Sequence, residues 1–343
     1  MKRAVVLTNH LHAWAGSEIL ALEVSEVLSE TYEVSLVANV IANEIYTLFE
    51  NHRINVSNEP HKFDLREFDF VWSQHFVAPL CRGFSDLENF SGSFNSIHLS
   101  PYEPFELASL VFSKPLGANL VSNSQETAQQ IRSFYANSPK IHNLNNATKD
   151  DFVEKEILET QTFKPIESVL IVSNHIPEEV IRAAENLMQL GVTVAAFGLG
   201  QENYSRLSKH DIQKFDVVLT IGKTVQNAIL ARRPVYCYDR FGGPGYIQRE
   251  NFKTSLDFNF SGRCCGRKLD AKQLCDEIVS GYDDALKGVN DLFNLGSELF
   301  DLKRFLMNLS EQKSKLSVKE LDTQPIIQQA ELIRNLYINS LRL

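Results

Sequence analysis

Between Phe215 and Tyr246 the chain reads FDVVLTIGKTVQNAILARRPVYCYDRFGGPGY, a stretch that leaves few folds open. The run VVLTI (217–221) is short, β-branched and without polar alternation, as expected of a strand covered on both faces. Gly222-Lys223-Thr224 opens a helix predicted to run through Ala231, and Pro234 precedes a second buried strand, VYCY (235–238). Asp239-Arg240-Phe241-Gly242-Gly243-Pro244-Gly245 then leaves that strand at its carboxyl end as a predicted glycine-rich loop. Two loops thus leave adjacent strand ends, where open α/β sheets bind ligands. A helix start presents free N–H groups and a partial positive charge, and Lys223 adds a full one, which suits a phosphate.

The same alternation runs through the rest of the chain. AVVLT (4–8), EVSLVAN (33–39), INVSN (54–58), DFVWSQ (69–74), FNSIHLS (94–100) and ANLVSNS (118–124) read as strands. Between them lie helices such as EILALEVSEVLSE, for which Ser17 is the predicted cap, ANEIYTLFENH (42–52) and QETAQQIRSFY. A charged segment, 148–167, reads as a linker. A second series follows: SVLIVSN (168–174), a helix over 177–191 bounded by Pro177 and Gly191, and TVAAFGLG (193–200), whose end places Gly198 near a ligand. Strand–helix alternation predicts βαβ units and mostly parallel sheets. The expected organisation is a Rossmann-like domain over 1–150, a second over 165–300, an interdomain cleft, and C-terminal helices over 301–343 packing back across both.

Composition removes several classes of function. A net charge of −9 argues against a nucleic-acid binder, which needs a basic excess. No stretch approaches 18 apolar residues, and MKRAVVLTNHLHAW reads as a first strand rather than a signal peptide. Five cysteines without zinc spacing, two of them adjacent at Cys264-Cys265, read as reduced thiols of a cytoplasmic protein.

Several local motifs resemble the GT-B glycosyltransferases, particularly the large group with many bacterial polysaccharide enzymes. Gly222, then Asn227-Ala228, then Pro234-Val235 follow the order of that family's donor-domain pattern, and Gly242-Gly243 match its later paired glycines. Ala15-Gly16-Ser17-Glu18 looks like its glycine loop after the first strand. Ser96-Ile97-His98-Leu99-Ser100 looks like its strand-end histidine, and Val121-Ser122-Asn123-Ser124 like the end of its acceptor domain. Two acidic positions of the pattern differ: Leu219 stands at the first, and Asn227 stands where relatives grip the nucleotide ribose with Glu.

The resemblance implies a transferase without a cofactor beyond its donor substrate, and the lack of an aspartate-x-aspartate pair at a strand end predicts that it needs no metal. It would move a sugar from a nucleotide-diphosphate sugar to a glycan or lipid-linked glycan, in polysaccharide or lipopolysaccharide synthesis, with at most peripheral membrane association. A nucleotide-sugar epimerase or hydrolase of the same fold, or a non-catalytic binding subunit, are the alternatives. The expected donor contacts are Gly16, Gly198, Gly222, Lys223, Thr224, Asn227, Asp239, Arg240, Gly242, Gly243 and Gly245. His98 is the expected catalytic side chain, ending a strand before the SPYEPFE loop. His75 is a weaker candidate at a similar strand end. His10 and His12 flank the first loop and are candidates to line the cleft, with packing or solvent exposure the expectation for both. Of the nearby carboxylates Glu103 and Glu106 one is a candidate base, a helix-start role being the simpler account of Glu106. Asp283-Asp284 reads as a solvated helical pair rather than a metal site.

Overall fold

The computed structural model describes residues 1–49, 54–158, 164–198 and 205–341. It divides into two compact units, 1–144 with 302–343, and 145–301. The helices from Leu302 onward, expected to pack across both domains, group with the first unit.

The first unit alternates strands with helices: β1 (Lys2–Leu11), α1 (Gly16–Leu28), β2 (Tyr32–Ile41), α2 (Asn43–Phe49), β3 (Ile54–Ser57), β4 (Phe70–Gln74) and β5 (Ser93–His98). Two short helices, α3 (Pro104–Leu107) and α4 (Leu110–Leu116), precede β6 (Asn119–Ser122), α5 (Gln125–Ser133) and β7 (Ile141–Asn143). The sheet order is β3-β2-β1-β4-β5-β6-β7, every pair parallel. The order reverses between β1 and β4, so a crevice opens at their carboxyl ends. β1 runs from Ala4 to Leu7 fully buried, as a strand covered on both faces requires. α1 does not use Ser17 as its cap. Ala15 stands there, and the buried Glu18 carboxylate turns back to accept the N–H groups of His12, Ala13 and Ala15.

The second unit holds β8 (Ser168–Val172), α6 (Glu178–Gln189), β9 (Thr193–Phe197), α7 (Lys209–Gln213), β10 (Val217–Thr220), α8 (Lys223–Leu230), β11 (Val235–Asp239) and β12 (Gly242–Tyr246). α9 (Arg249–Asp257) and the long α10 (Ala271–Gly296) follow, and α11 (Leu302–Ser310) and α12 (Thr323–Ser340) belong to the first unit. The order β12-β11-β10-β8-β9 is parallel except at its edge. Here the expected glycine-rich loop is corrected. Gly242 to Tyr246 form an antiparallel edge strand, with Gly245 opposite Cys237 and Tyr246 opposite Tyr236. The second-unit switch point lies between β8 and β10, whose carboxyl ends lead to Ser173-Asn174 and Gly222. Leu199 and Gly200, read as the end of a strand, lie outside the described residues, as do 50–52 of the predicted second helix and 159–163 of the linker. Among the described residues no helix is long and apolar enough to cross a membrane.

Candidate functional site

At the first unit's switch point, β4 is followed by a residue with an unusual backbone. His75 has φ 59°, a left-handed conformation uncommon for a non-glycine residue. The turn brings its ring back against β1, where Nδ1 lies 3.1 Å from both the Asn9 N–H and the Thr8 hydroxyl oxygen. A backbone N–H can only donate, so Nδ1 accepts and the ring proton sits on Nε2. That nitrogen lies 3.2 Å from Glu106 Oε1, and Glu106 Oε2 accepts the Leu99 N–H. Burial alone would raise the Glu106 carboxyl. The facing His75 and the Leu99 N–H overcome that and hold it below its ordinary value. Glu106 is therefore a partner of His75, where the sequence suggested a helix-start charge or a base.

His10 stacks on His75 with ring centroids 5.4 Å apart, and on His12 at 5.1 Å. Tyr337 of α12 stacks on His10 at 5.4 Å, and its hydroxyl lies 2.8 Å from His12 Nε2. Burial first, then the neighbouring His75 and His12, push the His10 imidazole down to about 4, against a weaker pull from Glu106. His10 is thus neutral at pH 7. Sequence reasoning expected His10 and His12 to pack or face solvent, and had no signal for Tyr337, since 325 residues separate it from His12.

His98 needs correction as the catalytic candidate. It is fully buried, its Nδ1 lies 2.7 Å from the Glu106 carbonyl oxygen, and its Nε2 lies 3.3 Å from Ser96 Oγ. A carbonyl only accepts, so Nδ1 carries the proton, and Nε2 faces the Ser96 hydroxyl oxygen. Burial lowers the affinity of the ring for a second proton. Both nitrogens are engaged inside the protein, which fits a structural histidine tying β5 to α3. Gly16 begins α1 with open space where a side chain would stand. Glu103 precedes α3 and is exposed.

The second unit treats its expected donor contacts in three ways. The first group is consumed by packing. A side chain at Gly243 would meet the Cys237 carbonyl oxygen at 2.0 Å, at Gly242 the Arg267 carbonyl at 2.2 Å, and at Gly245 the Glu277 carboxylate at 2.3 Å. Arg267 holds this hairpin, pairing with Glu277 while its Nε donates to the Gly243 carbonyl. At these glycines the space a side chain would take is filled by protein backbone and side chains. Gly198 packs against the Ser173 carbonyl in the same manner. Asp239 is buried and accepts from Ser261 Oγ, the Gly262 N–H and the Phe241 N–H, pinning the segment after α9 to the end of β11. Arg240 is exposed with its guanidinium 4.8 Å from the Phe241 ring centroid.

Lys223 is likewise corrected. It is only 8% exposed, and its ammonium donates to the Ala147 carbonyl at 2.8 Å and lies 3.5 Å from that of Asn146. Gln226 Nε2 donates to the Asn145 carbonyl, and Asn146 Nδ2 to Asn259 Oδ1. The start of α8 thus clamps the 145–147 segment, whose Asn145 and Asn146 have φ near 50°. Gly222 is the turn residue here, at φ 57° and ψ −136°, a conformation open to glycine and little else.

The third group remains suited to a ligand. Thr224 is half-buried on the first turn of α8. Asn227 is 5% exposed, and its Oδ1 is a buried acceptor with no hydrogen-bond partner, as is the neighbouring Gln226 Oε1. Six other buried side-chain atoms among the described residues share this state, Asn39 Oδ1 and Ser255 Oγ among them, so this pair is set apart by its place on α8, the helix that leaves the switch point. Among the described residues no group of three or more His, Cys, Asp or Glu side chains is arranged to hold a metal ion.

No family model and no curated protein sequence matches the chain. Solved structures do. HepE from Anabaena, solved in complex with UDP and glucose, matches 91% of this chain and 99% of its own length, with a TM-score of 0.57 at 14% identity. A putative UDP-N-acetylglucosamine 2-epimerase from Listeria monocytogenes matches 90% of this chain and 94% of its own, with a TM-score of 0.52 at 12% identity. At these identities the likeness is one of fold: two Rossmann-like α/β units of GT-B type.

Proposed function

We propose that this chain is a GT-B glycosyltransferase that moves a sugar from a nucleotide-diphosphate sugar to an acceptor hydroxyl. The observation that carries the reading is Asn227. Its buried Oδ1 lacks a donor at the position where the family pattern places the ribose-gripping carboxylate. A ribose hydroxyl supplies that donor, and an amide oxygen accepts it without the strength of a carboxylate. The likeness to HepE, which was solved with UDP and glucose, supports a uridine nucleotide as the first donor to test.

In this reading the second unit binds the donor at the β8/β10 switch point. The N-terminal amides of α8 and its dipole face the departing diphosphate, and Lys223 orders the segment beside them. The first unit binds the acceptor. His10, neutral at pH 7, takes the place of His98 as the side chain suited to orient the acceptor hydroxyl. Transfer proceeds without a divalent metal.

The test is calorimetric titration of UDP and other nucleoside diphosphates, followed by transfer assays from the matching sugar nucleotides. Asn227→Ala is expected to weaken the binding nucleotide by about 2- to 12-fold, the worth of one hydrogen bond, and Asn227→Asp to preserve it. No binding of any nucleoside diphosphate, or equal affinity in Asn227→Ala, refutes the reading. Transfer that stops on chelation and returns with magnesium or manganese refutes metal independence. The epimerase alternative is kept by the Listeria likeness, which is nearly as extensive. Release of an epimerised sugar nucleotide without acceptor would select it.

A further inference from the structure

The first unit's carboxyl edge has a chemical character of its own. The loops and first helical turns flanking the switch point span 9–17, 42–44, 75–77, 99–106 and 123–126, and among these described residues there is no Lys or Arg. Their ionisable groups are carboxylates and imidazoles, and the half-buried imidazole, His10, is held neutral by burial and by its neighbouring imidazoles. Cations stand beside these loops at β3: Lys62, paired with Glu59, follows that strand, and Arg334, one turn before Tyr337 on α12, has its Nη2 3.5 Å from the Asn58 carbonyl. What the edge does offer is aromatic surface. Tyr102 is 63% exposed and Phe105 is 39% exposed, both on the segment after β5. Neither hangs loose: the Tyr102 hydroxyl donates to Glu126 Oε1 at 3.1 Å, and Phe105 meets Tyr337 edge-on with centroids 6.0 Å apart.

From this arrangement we infer that the acceptor site takes an uncharged sugar or glycoside, seated by its apolar ring face on Phe105 beside Tyr337, and excludes phosphorylated and carboxylated acceptors. The inference rests on the transferase reading and sharpens it. A phosphate or carboxylate placed here meets Glu103 and Glu126 rather than a guanidinium fork or an ammonium, and like charges in a partly dry edge repel. A neutral pyranose loses nothing to those carboxylates, since they accept its hydroxyl protons, and its C–H face covers an exposed ring that otherwise stands in water. Specificity against anions then comes from repulsion as much as from fit.

The experiment titrates the full chain, by ligand-observed NMR, with methyl β-glycosides of glucose, galactose and N-acetylglucosamine, and with their 6-phosphates. UDP is titrated in the same samples. At least one neutral glycoside is expected to saturate, with its 6-phosphate at least tenfold weaker. Phe105→Ala is expected to weaken the neutral ligand at least fivefold, with the melting temperature and UDP response unchanged. Glu103→Lys is expected to narrow the gap between the glycoside and its phosphate. The inference is overturned if the phosphates bind as well as the glycosides, if Phe105→Ala binds normally, or if no glycoside saturates. Glycoside binding without any UDP response upholds this surface while refuting the donor reading. A UDP response without glycoside binding refutes this surface alone.

Discussion

His75 Nε2 stands 3.2 Å from Glu106 Oε1, while Nδ1 of the same ring takes the Asn9 N–H. One imidazole therefore ties β1, β4 and the segment after β5 together at the sheet's switch point. The left-handed backbone of His75 is what allows it, and such strain persists only where surrounding contacts over-determine it.

Removing one partner of this pair leaves the other buried without its counterpart. Glu106→Ala is expected to destabilise the chain by about 1–3 kcal/mol, the cost of leaving the buried His75 and Leu99 N–H groups without an acceptor, and Glu106→Gln by less, because the amide oxygen still accepts the His75 proton. Urea denaturation at pH 7 measures both. A loss below about 1 kcal/mol for the alanine variant would show that the pair adds little.

The His10 ring supplies a pH dependence of definite sign. Its folded value of about 4 lies below the ordinary 6.5, so the unfolded chain binds the extra proton first. The stability held by the neutral ring is therefore complete above 6.5 and lost as the pH falls from 6.5 towards 4. The full span amounts to at most about 3 kcal/mol. In His10→Gln the acid-side slope in this window is expected to flatten. An unchanged slope would assign the acid lability to other groups in the stack.

Two glycines that look alike in the sequence should behave in opposite ways. A methyl at Gly243 falls 2.0 Å from the Cys237 carbonyl oxygen, whereas one at Gly16 meets nothing within 4 Å. Gly243→Ala is expected to cost more than about 2 kcal/mol by overpacking. Gly16→Ala is expected to change stability by less than about 1 kcal/mol, in the stabilising direction, because it sits on the first turn of α1. Thermal melts decide both, and a stable Gly243→Ala would contradict the packing account.

Lys223→Met keeps the aliphatic stem and removes the ammonium from the Ala147 and Asn146 carbonyls. The expected loss is about 1–3 kcal/mol of stability, the range for a hydrogen bond from a charged donor. The change in UDP affinity is expected to be smaller than in Asn227→Ala. Unaltered stability with lost nucleotide affinity would return Lys223 to the phosphate.

The sequence by itself determined the buried parallel strands at the centre of both units, because such a strand is legible as an apolar β-branched run, whereas the edge strand β12 read as a loop. VVLTI and VYCY became β10 and β11, and Ser93–His98 became β5 despite its polar residues. Gly222 was legible as the turn before α8, since its backbone conformation is one that only glycine adopts readily. What local pattern could not say was which of two partners a residue serves. FGGPGY reads equally as a ligand loop or as a hairpin packed under Arg267, and Lys223 reads equally as a phosphate ligand or as a clamp on carbonyls 76 and 77 residues away. His98 and His75 both end strands, yet the fold buries one with both nitrogens spent and builds the imidazole stack on the other. The tertiary structure decided these cases. A hydrogen bond or a steric contact depends on what the chain brings back from a distance, and Tyr337 reaches His12 only because α12 folds onto the first unit.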